Sequence, residues 1–273
     1  MQKKILVVLL GLLFVFQASG EGFFGTQLGE RFFAQEPLND QQLVPAGHWV
    51  YDSLIMLAFE TGMTSMAVSA PLSMVELRGC LEDISYDRLS PQGQREYRRI
   101  AEYMNERWLG VSSKVISLGI APSINPEAFV KTDADVTWFY DYYMRTPIIS
   151  IPLRISAANL VTVEMDLFLG QNYWTIADHR TWTNIPLKDT AVDAHFPKTS
   201  SLSAGNSFLN FQVGMGEMDI GRTQTGSLLL SQYMTGASYG QLSLFSPRIR
   251  YSSNIVVLNV NKYLYLHRLE FRP

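Results

Sequence analysis

The chain has 273 residues, of which 47% are hydrophobic and only 17% charged, against a soluble average of about 25% charged. Its net charge of −3 provides no global attraction to nucleic acid, and no run of Lys and Arg forms a nucleic-acid patch. Cys80 is the one cysteine, which excludes a scaffold held by internal disulfides.

Residues 1–20 read as a signal peptide. "MQKK" is a basic start, "ILVVLLGLLFVF" an apolar stretch too short for a comfortable membrane span of about 20 residues, and "QASG" supplies small residues for cleavage. No later window has the uninterrupted apolar length of a transmembrane helix. An exported chain of this kind is expected to be soluble, surface-associated or a β-barrel.

Residues 21–135 are expected to form a helical bundle region. In "HWVYDSLIMLAFETG", Val50, Leu54, Leu57 and Ala58 share one helical face and Gly62 is a natural stop. In "APLSMVELRGCLEDI", Ser73 and Glu76 have capping-box spacing ahead of the stripe Met74, Leu77, Leu81 and Ile84, with Cys80 expected as a small buried hydrophobe. A third helix opens at Ser90 and Pro91, with Tyr97, Ile100, Met104 and Trp108 as its buried stripe. Arg98 and Glu102 form an i,i+4 pair on its wet face.

Residues 136–273 are expected to be antiparallel β, as part of a barrel. In "LVTVEMDLFLG", Val161, Val163, Met165, Leu167 and Leu169 alternate with Thr162, Glu164, Asp166 and Phe168. "FLNFQVGMG" repeats the pattern, with Leu209, Phe211, Val213 and Met215 against Asn210, Gln212 and two glycines. "QLSLFSPRIRY" and "NIVVLNVNKYLYLHRLEF" continue it less strictly, giving about six strands after Tyr143. Two architectures fit: a half-exposed antiparallel sheet, or a membrane barrel whose lumen receives Glu164, Asp166, Asn210 and Gln212. Trp138, Phe139, Tyr140, Tyr142, Tyr143, Tyr173, Trp174 and Trp182 lie near the strand ends, where a membrane interface favours aromatics, and this placement with the export signal tilts the reading to a barrel. Residues 175–205 read as a long loop.

Motifs for chemistry are weak. "GASYG", residues 236–240, matches a nucleophile elbow at Ser238, but a strand follows where a helix is required and no acid lies between Ser238 and His267. A glycine-rich turn is the expectation. His48, His179, His195 and His267 are never at metal-ligand spacing, and Asp133 and Asp135 have no partner in view. Gly214, Gly216 and Gly221 do not match a dinucleotide fingerprint; they are expected to bend a strand or to let backbones approach. The expectation is therefore a non-enzyme with no catalytic, metal or cofactor site, and no cofactor.

"VPAGHWVYDSLIMLAFETG", "PLSMVELRGCLEDI", "FQVGMGEMDIGRTQTGSLLLS" and "KYLYLHRLEFRP" together resemble, in order, segments of the capsule-assembly Wzi-like outer-membrane proteins. "HWVYDSLIMLAFETG" also resembles the start of S-layer homology modules. The first resemblance implies an outer-membrane barrel of about eighteen strands with helices at its periplasmic end, contacting lipid and binding or retaining surface polysaccharide. The strand count here is far smaller and the chain ends on Pro273, so a truncated or fragmentary chain, poorly soluble alone, is expected. The alternatives are a soluble periplasmic module that binds cell-wall polymer, and part of a solute channel.

Overall fold

The structure, a computed structural model, describes residues 34–37, 39–63, 69–113, 115–130, 145–172, 182–193, 197–223, 226–230, 236–246 and 248–271. The expected signal peptide lies outside them, as do Asp133, Asp135, His179, His195 and, apart from Trp182, the aromatic residues placed near strand ends. The described chain is α+β, with three α-helices and mostly antiparallel strands in large sheets.

The helices form where local signals agree. Helix α1 (Trp49–Thr61) ends on Gly62 at φ 71°, a left-handed position glycine takes without a Cβ penalty. Its cap is His48, whose Nδ1 accepts the Val50 N–H at 3.5 Å. Helix α2 (Met74–Glu82) has both halves of the expected capping box: Ser73 Oγ accepts from the Glu76 N–H, and Glu76 Oε2 accepts from the Ser73 N–H at 3.0 Å. Helix α3 (Pro91–Met104) is capped by Ser90, whose hydroxyl accepts the Gly93 N–H. It stops four residues before Trp108, because Asn105 ends the helix and "RWLGVS" continues as a strand. Arg98 bonds the Gln94 carbonyl, and the ion pair on this helix joins Arg99 to Glu96.

The first half of the chain also supplies β1 (Ala34–Pro37), β2 (Leu43–Val44), β3 (Ser69–Ala70), β4 (Leu72–Ser73), β5 (Arg107–Ser112), β6 (Ile116–Ile120) and β7 (Ser123–Ile124). The second half supplies β8 (Ile149–Ala157), β9 (Val161–Gln171), β10 (Val192–Asp193), β11 (Ser200–Gly205), β12 (Leu209–Gly216), β13 (Asp219–Thr223) and β14 (Gly226–Leu230). It ends with β15 (Ala237–Phe245), β16 (Ile249–Asn259) and β17 (Lys262–Phe271). The main sheet runs β1-β5-β6-β8-β9-β11-β12-β15-β16-β17, every pairing antiparallel. Residues read as helical, 21–135, therefore also furnish β1, β5 and β6 of this path, and β7, which pairs with β8 beside it. Among the described residues no pairing joins β1 to β17.

Two expectations about the middle of the chain change. Residues 175–205 are not one long loop: Ser200–Gly205 is a strand inserted between β9 and β12. "SSLSAG" is too small and polar to show an apolar alternation, and its neighbours rather than its own side chains hold it in place. The glycines of "GMGEMDIG" differ from one another. A Cβ on Gly214 would lie 2.6 Å from the Ser200 carbonyl, a close approach, whereas Gly221 sits at φ 80° at the bulge in β13.

The two faces of the sheet invert the soluble pattern. On one face Ser156, Thr162, Ser203, Asn210, Gln212, Gln241, Ser243, Arg250, Ser252 and Asn254 are all buried. On the other, Ile155, Leu202, Phe211, Val213, Leu242, Leu244, Ile255, Leu269 and Phe271 are all exposed. Registers such as Phe211↔Leu242 and Gln212↔Gln241 keep each class on its own side. The hydrophobic core lies elsewhere, in a cluster running from Val44 to Ile100 that the three helices and their connections share. A second cluster, Met218, Ile220, Leu230, Ala237, Tyr239 and Val256, packs the β13–β14 hairpin over one end of the polar face.

Candidate functional site

The polar face is covered by the N-terminal segment, which is tied to it by polar contacts. Asn39 Nδ2 donates to Asn159 Oδ1 at 2.9 Å, and Thr162 Oγ1 donates to Asn39 Oδ1 at 2.9 Å. Asn210 Nδ2 donates to Gln41 Oε1 at 2.9 Å, and Arg154 donates to Gln42 Oε1. Farther along, Arg250 donates to Glu76 at 2.9 Å and to Glu270 at 3.2 Å, and also to Ser69. A buried polar group is tolerable only when hydrogen-bonded. The polar residues of the strands and of the segment therefore explain much of each other's burial, with Gln212 Oε1 and Asn254 Oδ1 buried without a hydrogen-bond partner among the described residues.

The connections are unequal at the two ends of the sheet. At the end where Asn39 meets Asn159, β5 and β6, β8 and β9, β11 and β12, and β15 and β16 are each separated by three residues, and neighbouring connections meet, as in Ala158 N–H to Val115 O at 2.8 Å and Phe245 N–H to Phe208 O at 2.9 Å. At the other end β16 and β17 are joined by the two-residue turn 260–261, whereas the connections from β6 to β8, from β9 to β11 and from β12 to β15 are longer.

Toward that second end, between the N-terminal segment and the sheet, lies a cavity of about 490 Å³. This is within the range of about 300–1,000 Å³ typical of small-ligand sites. Gln42, Leu43, Pro45 and His48 form its floor. Glu164, Asp166, Met215 and Tyr239 of the strands form its walls, and Lys198, Glu217 and Glu106 stand around it. A smaller crevice beside Arg145 and Gln171 shares Lys198 but has only about 30 Å³, roughly one water.

The charges of the cavity are not balanced. Glu164 accepts the Leu43 N–H at 3.4 Å and faces Arg154 in the β8–β9 register. Asp166 accepts from Ser150 Oγ at 2.8 Å and shares the electrostatic influence of Lys198 with Glu217. Glu217 itself has no hydrogen-bond or ion-pair partner among the described residues, and burial holds its carboxyl above the usual range while Lys198 pulls the other way. His48 is pushed below its ordinary pKa by burial and then by Arg99, so the ring is neutral, with Nδ1 accepting and the proton on Nε2. Tyr103, its ring 4.7 Å from that of His48, is held well above the usual phenol range by burial and by Glu164 and Glu106. It stays a hydroxyl donor at any physiological pH.

No known protein family, curated protein or solved structure matches this chain.

Of the residues singled out from sequence, Glu164, Asp166, Asn210 and Gln212 do share the covered face, and the first two line the cavity. Ser238 lies inside β15, two residues after Gly236 at φ 70°, with a strand where an elbow needs a helix. His48 joins the site as a floor residue and helix cap. His267 lies on the opposite, apolar-exposed face, where it bonds Tyr251 Oη at 2.8 Å. Among the described residues no group of His, Cys, Asp and Glu is arranged to hold a metal. Sequence reasoning missed Lys198, Glu217 and Trp108 as neighbours of Glu164. Proximity across 34 to 56 residues of sequence carries no local signal.

Proposed function

We propose that the chain is a Wzi-like outer-membrane β-barrel protein that binds or retains surface polysaccharide. The observation that carries this reading is the sheet's inversion, polar residues buried and large apolar residues bare. Leaving a Leu or Phe in water forfeits roughly 1.5–3 kcal/mol of burial each, and a hydrocarbon surround removes that cost. The polar face covered by an N-terminal segment corresponds to a plugged lumen, and short turns at one end with three long connections and one tight turn at the other approach the asymmetry of outer-membrane barrels. A strongly twisted sheet of about ten strands also favours curling over lying flat. In lipid the free edges of β1 and β17 must be covered, because hydrocarbon cannot satisfy them.

Membrane fractionation tests the location. The protein is expected with the outer membrane, resistant to alkaline wash and released by detergent; recovery in the soluble periplasm overturns the reading. The polysaccharide arm is tested by comparing surface glycan retained by producing and non-producing cells, with equal retention counting against it.

A second reading has its own support. The helical region possesses a hydrophobic core that contains no residue of strands β8–β17, as a soluble envelope-binding module requires. Residues 21–110 sedimenting with purified cell-wall sacculi would favour that module. The solute-channel alternative is the weaker one, since the N-terminal segment occupies the polar face a channel needs open.

A further inference from the structure

We propose that the cavity between the N-terminal segment and the sheet takes an amine-bearing sugar, with its ammonium between Glu217 and Asp166 and its hydroxyls on the polar walls. The inference rests on the glycan-binding reading above and specifies the chemistry of the sugar.

Charge counting carries it. Glu164 has Arg154 opposite it in the β8–β9 register and the Leu43 N–H as a donor. Among the described residues that line it, this leaves Asp166, Glu217 and Glu106 with Lys198 as the one ammonium, because His48 is neutral. The surplus is negative. A uronate or phosphorylated unit would enter against it, with a cost that rises in a partly desolvated cavity. A neutral sugar would leave Glu217, half-buried and influenced by Lys198, still without a charge-assisted hydrogen-bond partner among the described residues. An ammonium supplies that partner through a charge-assisted bond, the stronger kind.

Size and shape agree. The cavity accommodates one or two sugar rings rather than a long chain, and it lies toward the end with the longer connections. Tyr103, Tyr239 and Trp108 place aromatic carbon beside the carboxylates, a surface that suits the apolar face of a pyranose. Trp108 already holds the Arg154 guanidinium 4.5 Å from its ring centroid on one face, so its remaining edge is the part presented to a ligand.

The test uses the full chain in detergent and three probes: the β-1,4-linked disaccharide of glucosamine, its di-N-acetylated form, and a disaccharide of galacturonic acid. Calorimetric titration is expected to give glucosamine disaccharide binding at least about tenfold tighter than the acetylated form, since losing one well-placed charge contact changes affinity by about that factor. The galacturonate probe is expected not to compete. Glu217→Gln and Asp166→Asn should each weaken glucosamine binding about fivefold to tenfold, and Glu217→Asp should restore most of it, with far-UV circular dichroism confirming equal folding. Galacturonate binding as tightly as glucosamine, affinity indifferent to both variants, or no binding of any probe overturns the inference. These outcomes are separable from the parent reading. Cells that retain surface glycan while the purified chain shows no preference for amines sink only the inference. Amine selectivity in a protein found only in the soluble periplasm sinks only the outer-membrane reading.

Discussion

Arg250 of β16 and Glu76 of α2 meet at 2.9 Å, with side-chain exposures of 1% and 2%. The pair joins the helical region to the sheet across 174 residues of sequence. Glu76 is also half of the capping box of α2, so one carboxylate closes the helix with one oxygen and receives the sheet's guanidinium with the other. Removing Arg250 leaves Glu76 as an uncompensated buried charge and Glu270 with Arg268, 3.2 Å away, as its remaining cation. Arg250→Ala is expected to cost about 3–5 kcal/mol, measured by denaturant unfolding in detergent. Arg250→Lys should recover only a minor part, because an ammonium lacks the planar fork that reaches both carboxylates and Ser69. A loss under about 1 kcal/mol in Arg250→Ala would mean the helical region is not held by this contact.

Backbone approach gives a second expectation. A Cβ on Gly205 would sit 2.1 Å from the Leu209 carbonyl and 2.9 Å from Gln41 Oε1, where β11 turns into β12 beneath the N-terminal segment. The nearest atom is backbone and cannot swing away. Gly205→Ala is expected to destabilise by about 1–3 kcal/mol, as overpacked sites do. It should also weaken the Gln41–Asn210 bond, seen as faster amide exchange in residues 39–44. Gly79→Ala, where added atoms meet nothing within 4 Å, is the control and should leave stability unchanged or slightly raised.

What was legible in the sequence follows from range. The caps at Ser73, Ser90 and Gly62 rest on contacts within four residues, and all three are present. The period of two in 161–171 and 209–216 was equally readable, since alternation needs only neighbouring positions. Which face would be bare was not readable: the same alternation serves a soluble sheet with the apolar side inward. The N-terminal segment decides it, through Gln41, Gln42 and Glu76, residues whose partners are more than 100 positions away. Strand β11 was missed for the same reason, being held by β9 and β12 rather than by its own composition. Residues 107–112 were misread because Trp108 fits the helical stripe of α3 as well as it fits a strand.

Glu217 sets a pH dependence whose sign is unusual for an acid. Burial raises its pKa in the folded chain, the first cause, and Lys198 only partly offsets this. The folded state therefore holds a proton that the unfolded state has already lost, in the window between the ordinary carboxylate pKa and the raised one. Stability contributed by this group falls as pH rises through that window and is recovered as pH drops. Glu217→Gln should accordingly melt higher than the parent chain at pH 8, and the difference should shrink as the pH is lowered past the ordinary carboxylate range. An increment that grows on acidification would mean that Glu217 is held charged by a partner in the fold. The same substitution is expected to weaken an amine ligand while stabilising the empty protein, a combination that a merely structural residue does not produce.

The bare face offers the sharpest division between lipid and water. Leu242 lies mid-way along β15, opposite Phe211, with Leu244 and Val213 on the same surface. If hydrocarbon covers this surface, Leu242→Arg places a charge near the middle of a membrane strand, at a cost of about 2–4 kcal/mol. The folded fraction in the outer membrane should fall, read as loss of the heat-modifiable band on semi-native gels. If water covers it, the same change replaces a half-exposed apolar group with a solvated one; stability should hold within about 0.5 kcal/mol, and soluble yield should rise. A second substitution separates this from general intolerance of β15. Ser243 points the other way and accepts from Arg250 Nη2 at 3.3 Å, so Ser243→Leu removes a partner of a buried guanidinium. It should destabilise the protein in either surround. Loss of folding in Ser243→Leu together with retention in Leu242→Arg would therefore exclude the lipid-facing sheet. Loss in both, with Leu242→Gln intermediate, is the outcome expected of a strand with lipid on one face and a packed polar interior on the other.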